Sequence, residues 1–489
     1  MAGSPDMTDA AAPPDTSPAG MSPAGTSPAG TSPAGTTATD TADVVVLGLG
    51  PGGEDVAERL AEAGLDVVGI DHRLVGGECP YWGCVPSKMM IRAADLLAEG
   101  RRIPGLAGSS TVEPDWAPVA ARIRAEATDD WDDQAAVDRF AGKGGTLFRG
   151  YGALTGPDRV TVGEDVLRAR RGIVLNPGTS PAVPPVPGLA GTPYWTNREA
   201  IETEQVPESL LVLGAGPIGV ELGQVFARFG AAVTMIEQSD RLLPVEEPES
   251  SEVLDRVFKQ EGISVCTGCT AASVAHDGAE FEVSLTSGSS VRGQKLLVAI
   301  GRHTDLAALG VGTIGLDERA HHIPTDGHMR AAPGVWAIGD ATGHGAFTHM
   351  SMYEGEIVIA DILGRPGHEA EYHAVPRVTF TDPEIGSVGL SEAGARERGV
   401  DVRVGIAQVP ASSRGWIHKA GNNGFIKLIA DAEQGVLVGA TSAGPVGGEV
   451  LSMLTLAVHA RVPVRRLSEM IYAYPTFHGA VLDAVRQLA

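Results

Sequence analysis

Residues 44–53 read VVVLGLGPGG, and residues 210–219 read LLVLGAGPIG. In each stretch a short apolar run, typical of a strand buried in a parallel sheet, leads directly into Gly-x-Gly-x-x-Gly and then into a helical pattern. The first glycine of such a turn permits a tight bend, the second lets the backbone approach a pyrophosphate, and the third lets the helix pack closely on the strand. The sequence therefore predicts two dinucleotide sites, one at Gly48, Gly50 and Gly53 and one at Gly214, Gly216 and Gly219.

A carboxylate follows each glycine pattern at the end of the next apolar run. Asp71 and Glu237 each lie 23 positions after the first glycine of their own pattern. Such a carboxylate is placed to accept a hydrogen bond from a ribose hydroxyl, whereas it would repel a 2′-phosphate. No basic residue follows Glu237 before Arg241. We therefore predict NADH rather than NADPH at the second site.

Two of the four cysteines lie in residues 76–88, which read GGECPYWGCVPSK. The segment runs from a Gly-Gly turn into an apolar helical pattern, so Cys79 and Cys84 should lie where a loop becomes a helix. The free N–H groups and the dipole at the start of a helix lower the pKa of a thiol. A structural disulfide and a pair of buried thiols are the alternatives. In this setting we favour a redox-active pair.

Composition limits the classes of partner. The chain has 489 residues, enough for several domains, and a formal net charge of −24 from 37 basic and 61 acidic residues. Such a charge repels phosphate backbones and anionic lipids, which argues against nucleic-acid and membrane partners. No Lys or Arg precedes Arg59, and no apolar run is long enough to span a membrane, so we expect a cytoplasmic protein.

The first 42 residues differ in texture from the rest. They are rich in Ala, Pro, Ser, Thr and Gly and contain four consecutive copies of a five-residue unit between Thr16 and Gly35. We expect a disordered tail, because these residues cannot bury enough apolar surface to offset the entropy of ordering. A Pro-Gly-rich crossing at residues 176–188 reads as a domain junction.

Together these motifs resemble the flavoprotein disulfide reductases, the class I pyridine nucleotide-disulfide oxidoreductases that include dihydrolipoyl dehydrogenase and mercuric reductase. Residues 76–88 stand where that family has GGTCxNxGCxPSK, and residues 337–341 (AIGDA) and 380–384 (FTDPE) resemble two further family segments. The resemblance implies an α/β fold with two Rossmann-type dinucleotide-binding domains and a C-terminal α+β dimerisation domain. The implied boundaries are 43–190 with 321–370 for FAD, 191–320 for NAD, and 371–489 for the interface of a homodimer.

The resemblance also implies roles for single residues. Cys84 would be the thiol against the isoalloxazine and Cys79 the thiol that meets substrate. Lys88 would lie near flavin N5, paired with Glu221. The implied FAD residues are Gly48, Gly50, Gly53, Asp71, Gly77, Lys88, Gly339 and Asp340. The implied NADH residues are Gly214, Gly216, Gly219, Glu237 and Gly301.

The C-terminal segment departs from the family. Thiol reductases of this family carry a His-x-x-x-x-Glu pair there, which the partner subunit contributes as a general base, but here Tyr474 and Gly479 occupy those positions. A tyrosine hydroxyl is a poor proton acceptor at neutral pH, so lipoamide-type dithiol oxidation should be slow. His478 is the alternative base, or an ordinary packed or surface histidine. Mercuric reductases resemble this chain in the tyrosine, but their C-terminal cysteine pair is missing here.

The redox segment itself contains three unusual residues. Glu78 replaces the family's threonine, and Tyr81 and Trp82 place two large rings beside Cys79. The rings either narrow access for the acceptor or simply pack. The remaining cysteines form Cys266-Thr-Gly-Cys269 without further ligands nearby, so we predict no metal site and expect this pair to be inert.

These observations predict an enzyme that passes electrons from NADH through FAD to a Cys79–Cys84 disulfide and on to a small-molecule oxidant. A disulfide or another sulfur compound is the leading acceptor because both cysteines are present. One alternative is a quinone or mercuric-ion reductase, and another is a redox-sensing flavoprotein without turnover.

Overall fold

The computed structural model describes residues 40–488, so most of the predicted tail lies outside the described residues. The first strand, Asp40–Leu47, begins three residues before the predicted start of order. The reason is its partner: residues 40–42 pair in parallel with residues 167–169 of the long strand Asp165–Leu175. The described part of the chain contains no helix that is long and apolar enough to span a membrane.

An eight-stranded sheet contains the first apolar run. Val44 and Val46 enter one hydrophobic cluster, while Val45 and Leu47 enter another. Successive strand residues point to opposite faces, so an unbroken apolar run fills the cores on both sides of the sheet. Its strands, in spatial order, are Arg330–Ala332, Val335–Ala337, Asp165–Leu175, Asp40–Leu47, Val67–Asp71 and Thr146–Arg149, and the hairpin Gly152–Gly156 with Arg159–Val162 attaches to Asp165–Leu175.

A second, parallel sheet repeats this plan around the second apolar run. Leu210 and Val212 enter one hydrophobic cluster, and Leu211 and Leu213 enter another. The strands in spatial order are Ser264–Cys266, Ala232–Ile236, Ser209–Leu213 and Lys295–Val298. A three-stranded antiparallel sheet is inserted in the chain between Ser264–Cys266 and Lys295–Val298, with strands Ala271–His276, Phe281–Leu285 and Ser290–Gly293. The short strands Ser180–Pro181 and Arg302–His303 pair with each other.

The C-terminal part contains a five-stranded antiparallel sheet. Its strands in spatial order are Pro376–Thr379, Glu384–Gly389, Val436–Gly444, Phe425–Asp431 and Val402–Gln408. Buried residues of the helices Gly447–His459 and His478–Val485 share one hydrophobic cluster with this sheet.

The α-helices of the described residues connect and cover these sheets. They are Pro51–Glu62, Glu78–Tyr81, Cys84–Arg102, Ala117–Arg122, Gln134–Gly142, Asn197–Glu202, Pro217–Arg228, Pro248–Gln260, Leu306–Leu309, Thr348–Ile362, Glu392–Glu397, Ser413–His418, Gly447–His459, Val464–Glu469 and His478–Val485.

Two buried cations link the C-terminal sheet to the second parallel sheet and its helices. The Arg228 side chain is 3% exposed and pairs with Asp95, Glu261 and Asp382, each at 2.7 Å. Lys427 is 4% exposed and pairs with Glu247 at 2.9 Å. It also pairs with Glu249 at 2.8 Å and Glu392 at 3.0 Å. Buried charges of this kind require their partners, so these contacts fix how the C-terminal sheet packs against the neighbouring helices.

Candidate active site

The first glycine turn is shaped by close backbone contacts. Gly48 has φ +94°, and a Cβ there would lie 2.0 Å from the carbonyl oxygen of Asn176. A Cβ on Gly53 would lie 2.1 Å from the carbonyl oxygen of Gly48. At Gly50 the nearest atom to a Cβ is Asn176 Nδ2 at 3.3 Å. The first and third glycines are therefore needed for backbone packing, whereas the second is crowded only by the end of the Asn176 side chain and is the least enclosed of the three.

The second glycine turn has the same construction. Gly214 has φ +97°, and a Cβ there would lie 2.5 Å from the carbonyl oxygen of Ala299. A Cβ on Gly219 would lie 2.1 Å from the carbonyl oxygen of Gly214, while one on Gly216 would meet nothing within 4 Å. Both turns end at the start of a helix, Pro51–Glu62 and Pro217–Arg228. Free N–H groups at such helix starts favour phosphate.

The two predicted carboxylates bind the backbone in the same way. Asp71 accepts hydrogen bonds from the N–H of Leu49 at 2.8 Å and from that of Arg73 at 2.8 Å. Glu237 accepts from the N–H of Ala215 at 2.6 Å and from that of Ser239 at 2.7 Å. Each carboxylate thus fixes its glycine turn. Each oxygen keeps lone-pair capacity for one further donor, such as a ribose hydroxyl.

One cavity joins the first turn to the cysteines. It has a volume of about 620 Å³, within the range of about 300–1,000 Å³ that cofactor pockets occupy. Residues at the start of the helix Pro217–Arg228 also line it, including Pro217 and Ile218. The predicted site residues that line it are Gly48, Gly50, Asp71, Gly77, Cys79, Cys84, Lys88, Glu221 and Asp340.

The two cysteines of this cavity are free thiols. Cys84 is the first residue of the helix Cys84–Arg102, and its Sγ lies 3.5 Å from the Thr348 hydroxyl. A hydrogen bond from Cys79 lowers the pKa of Cys84 to about 6 against the effect of burial, with further help from Thr348 and the charge of Lys88. The same hydrogen bond, together with burial, raises the pKa of Cys79. These effects favour the thiolate form of Cys84 over that of Cys79.

Lys88 is held beside the cysteines. Its Nζ lies 2.8 Å from Glu221 Oε2 and 4.6 Å from the centre of the Phe380 ring. The other Glu221 oxygen accepts a hydrogen bond from the N–H of Phe380 at 2.8 Å. The predicted Lys88–Glu221 pair is thus present, and it is fixed by the segment that opens the C-terminal sheet.

The Gly339-Asp340 turn packs beside the first glycine turn, since Cβ atoms on Gly339 and Gly53 would both meet the Asn176 side chain. Gly339 has φ +74°, and its N–H donates to the buried carboxyl of Glu354 at 2.6 Å. Burial raises the pKa of Glu354 to about 7. Asp340 lines the cavity and accepts a hydrogen bond from the Thr179 hydroxyl at 2.6 Å.

Several predicted residues do not line this cavity. Gly53 and Gly339 lie behind its wall, and Gly214, Gly216, Gly219, Glu237 and Gly301 belong to the separate second turn and its surroundings. Tyr474 is 83% exposed, and His478 begins the last helix. Neither lies at the cysteines within one chain, so their predicted approach from a partner subunit stays a prediction.

The C-x-x-C pair, which we expect to be inert, forms a disulfide between Cys266 and Cys269. The N–H of Cys269 donates to the carbonyl oxygen of Glu237 at 2.8 Å, and the N–H of Glu237 donates to that of Cys266 at 2.9 Å. The disulfide thus closes a turn beside the second predicted ribose carboxylate.

Other residues of the site could not be found from local sequence patterns. Thr348 contacts Cys84, Asn176 packs beneath the first glycine turn, and Arg302 donates to the Thr179 hydroxyl at 2.8 Å. Arg198 and Glu78 form an ion pair across 120 positions. These contacts join distant parts of the chain and leave no periodic or motif signal.

The residues present fit FAD in the cavity. The open face of Gly50 at a helix start suits a pyrophosphate, and the remaining capacity of Asp71 suits a ribose hydroxyl. A thiolate and a fixed cation at the far end of the same cavity suit a redox-active ring system.

Comparison with known proteins agrees with this geometry. Residues 42–355 match the family model described as pyridine nucleotide-disulphide oxidoreductase. Residues 375–485 match the dimerisation domain of that family. The predicted family and the α/β fold with a C-terminal dimerisation domain are therefore confirmed.

Individual relatives cover nearly the whole chain. The dihydrolipoyl dehydrogenase of Chlorobaculum tepidum is 33% identical over 458 residues, which cover 90% of this chain and 96% of that protein. The mercuric reductase of Acidithiobacillus ferrooxidans is 33% identical over 446 residues, which cover 88% of this chain and 80% of that protein. The solved structure of LpdA from Mycobacterium tuberculosis is similar with a TM-score of 0.80 at 26% identity, covering 92% of this chain and 100% of that one. This chain therefore belongs to the pyridine nucleotide-disulphide oxidoreductase family, as a FAD-dependent enzyme that uses a nicotinamide dinucleotide.

Proposed function

We propose that the enzyme uses NADH to reduce its Cys79–Cys84 disulfide and uses the resulting dithiol to reduce a disulfide or another sulfur compound. The observation that carries this proposal is the single cavity, in which the first glycine turn, both cysteines and the start of the helix after the second glycine turn meet. Bound FAD would supply the two-electron chemistry that connects the nicotinamide to the cysteine pair.

The proposed cofactor contacts follow the construction of the two turns. We assign residues 43–190 and 321–370 to FAD binding and residues 191–320 to NAD binding. The residues that would hold FAD are Gly48, Gly50, Gly53, Asp71, Gly77, Lys88, Gly339 and Asp340. The residues that would hold NADH are Gly214, Gly216, Gly219, Glu237 and Gly301.

The preference for NADH is supported by the residues around Glu237. A 2′-phosphate would be repelled by this carboxylate and would need an arginine instead. The nearest basic residue along the chain is Arg241, whose guanidinium donates to the carbonyl oxygens of Glu246 at 2.8 Å and Pro244 at 2.6 Å. Because Arg241 is engaged by its own turn, it is poorly placed to bind a phosphate.

The cysteine pair carries out the exchange with the acceptor. Cys79 gives up its proton and its sulfur bonds to one sulfur of the acceptor, so that the acceptor's own S–S bond breaks and the first thiol leaves with that proton. The Cys84 thiolate then attacks Cys79, forms the Cys79–Cys84 disulfide and releases the second sulfur as a thiolate, which solvent protonates. Lys88, held by Glu221, supplies a positive charge where reduction adds negative charge.

We also propose that two copies pair through residues 371–489. Support comes from the match to the dimerisation domain and from apolar side chains that one chain leaves exposed, with Ile471 at 96% and Trp416 at 71%. In such a pair, Tyr474 and His478 of the partner would be the candidate proton acceptors for Cys79. Because neither is the usual His-Glu base, we expect slow oxidation of lipoamide-type dithiols.

The proposal is tested by anaerobic titration of the flavin-containing protein with NADH. We expect uptake of about four electrons per subunit, two by the flavin and two by the cysteines, and a long-wavelength absorbance band that Cys84→Ser abolishes. The double variant Cys266→Ser/Cys269→Ser is the matched control and should keep the band. Uptake of only two electrons, or a band that survives Cys84→Ser, would contradict the proposal.

Steady-state assays then separate the acceptors. NADH oxidation that requires a disulfide and is lost in Cys79→Ser supports the proposed function. Activity with a quinone that survives Cys79→Ser indicates direct reduction by the flavin instead, and the absence of turnover with any acceptor indicates a redox sensor.

A further inference from the structure

The short helix Asn197–Glu202, which we call the docking helix, contacts residues 78–83, which we call the redox loop. The contacts are made at residues 78 and 82 of that loop. Arg198 Nε donates to Glu78 Oε1 at 2.9 Å, and its guanidinium lies 5.1 Å from the centre of the Trp82 ring. Trp82 Nε1 donates to Glu202 Oε1 at 2.6 Å. Asn197 Nδ2 donates to the Trp82 carbonyl oxygen at 2.7 Å. Three residues of one helix therefore fix both the backbone and the side chains of the loop.

The docking helix is itself firmly anchored. Thr196 and Glu199 form a reciprocal capping box at its start, which satisfies two donors that would otherwise lack partners. Ala200 and Ile201 are 0% and 2% exposed in the hydrophobic core. Trp116 Nε1 donates to the Thr203 carbonyl oxygen just beyond its end, at 2.9 Å. The helix can therefore serve as a fixed support for a neighbouring segment.

The redox loop has little support of its own. It consists of the four-residue helix Glu78–Tyr81 followed by Trp82 and Gly83, before Cys84 begins the next helix. A helix of one turn is not stable by itself. Glu78 and Trp82 lie next to or between the two cysteines, so whatever fixes these residues also fixes the separation of the sulfurs.

Charge compensation points to the same helix. Glu78 directly precedes Cys79 and is 28% exposed, and Arg198 beside it is 20% exposed. Arg302 approaches the other Glu78 oxygen at 3.6 Å. Without these arginines a partly buried carboxylate would lose its partners, and the loop that carries it would be held less firmly.

We propose that the docking helix positions the Cys79–Cys84 pair for disulfide closure, with Arg198 as its principal positioning residue. This inference rests on the proposed function, since it assumes that the pair cycles between dithiol and disulfide. The physical basis is pre-organisation: a loop held with its sulfurs near each other loses less freedom when the S–S bond forms. Weakening the grip should make the disulfide less favourable relative to the dithiol.

The test is the equilibrium of the pair with dithiothreitol. The flavin-containing protein is equilibrated in mixtures of reduced and oxidised dithiothreitol, quenched in acid and alkylated, and the peptide with Cys79 and Cys84 is quantified by mass spectrometry. Neither NADH nor an acceptor is needed, so the result is independent of whether the proposed acceptor class is right.

We expect Arg198→Gln to shift this equilibrium constant about tenfold toward the dithiol, equal to roughly 30 mV for a two-electron couple. Glu202→Gln, which weakens the Trp82 contact, should shift it in the same direction by about threefold. Arg198→Lys keeps the charge but loses the planar guanidinium over the Trp82 ring, so it should restore only part of the wild-type value.

Arg124→Gln is the matched control. Arg124 pairs with Glu204 at 2.7 Å, just beyond the docking helix, and its guanidinium lies 5.6 Å from the centre of the Trp131 ring, without contacting the redox loop. It should leave the equilibrium constant within twofold of wild type. The inference is overturned if Arg198→Gln and Glu202→Gln both stay within twofold, or if Arg124→Gln shifts the constant as much as they do. If Arg198→Gln fails to retain flavin, Glu202→Gln alone decides.

Discussion

Removing the Cys79 thiol should raise the pKa of Cys84. The hydrogen bond from Cys79 is the largest of the effects that lower this pKa to about 6, ahead of Thr348 and Lys88. In Cys79→Ala that bond is lost, while the helix start and the Lys88 charge remain. We therefore expect the pKa of Cys84 to move at least one pH unit toward the ordinary thiol value of about 8.5.

The expected rise in the pKa of Cys84 determines whether the alkylation rate at one pH or the midpoint of the pH–rate profile should be measured. If the pKa rises to about 8, the thiolate fraction at pH 7 falls from about 90% to about 10%. A thiolate of higher pKa is also a better nucleophile, with a Brønsted slope of about 0.4–0.5, which gains roughly sixfold to tenfold over two pH units. The two effects nearly cancel in the rate at pH 7. The midpoint of the pH–rate profile therefore carries the information.

The assay is alkylation of the reduced, flavin-containing protein by iodoacetamide between about pH 4.5 and 9.5, a range that brackets both pKa values, with Cys84 modification followed by mass spectrometry. Cys79→Ser is the matched control, because its hydroxyl still donates a hydrogen bond, and its midpoint should stay near that of wild type. A midpoint that remains near 6 in Cys79→Ala would refute the reasoning. It would mean that the start of the helix Cys84–Arg102 or Lys88 holds the thiolate without help from Cys79.

Three further predictions concern other parts of the molecule. Burial raises the pKa of Glu354 from 4.5 to about 7, so the stability that its proton provides is present below about pH 4.5 and lost as the pH rises through 7. In urea unfolding, the free energy of unfolding of the wild type should therefore fall by about 3 kcal/mol more than that of Glu354→Gln between pH 4.5 and 8. An unchanged pH dependence in the variant would contradict this. Lys427→Met leaves Glu247, 3% exposed, without its cation and should cost about 3–5 kcal/mol in the same assay, whereas the exposed Lys259→Met should cost less than about 0.5 kcal/mol. Glu237→Gln removes the charge that repels a 2′-phosphate and should raise the ratio of kcat/KM for NADPH over NADH by about tenfold, with Glu237→Asp as the control that keeps the charge and leaves the ratio nearly unchanged.

The two nucleotide-binding turns could be predicted because their motifs consist of residues close together in the sequence. The glycine spacing and the carboxylate 23 positions later depend only on local geometry, and the structure shows Gly48 and Gly214 at φ +94° and +97°. The position of the cysteine segment at the start of a helix could be predicted for the same reason, since the start of the helix at Cys84 follows from the residues around it.

The contacts that tune the cysteines could not be predicted, because they join distant segments. Glu78 stands out in the sequence, but its partner Arg198 lies 120 positions away, and Thr348 lies 264 positions from Cys84. The acidic run at residues 129–133 was another limit. Runs of acidic residues are usually solvated, yet Asp133 is buried and accepts a hydrogen bond from the Val75 N–H at 2.6 Å. A composition pattern does not show which of several acidic residues turns inward.

The likeness of the two glycine turns has a kinetic consequence. The φ angles of the first glycines, the close backbone contacts of the first and third glycines and the hydrogen bonds of the two carboxylates match closely. The turns themselves should therefore bind a dinucleotide in much the same way. The surroundings differ, since the first turn opens into a cavity that is also walled by Asp340 and the cysteine loop, whereas Gly216 faces open space. A dinucleotide bound at the first turn must move past these residues to dissociate. The rate at which each dinucleotide dissociates, rather than the contacts that recognise it, would then distinguish a permanent prosthetic group from a coenzyme that is exchanged in every catalytic cycle.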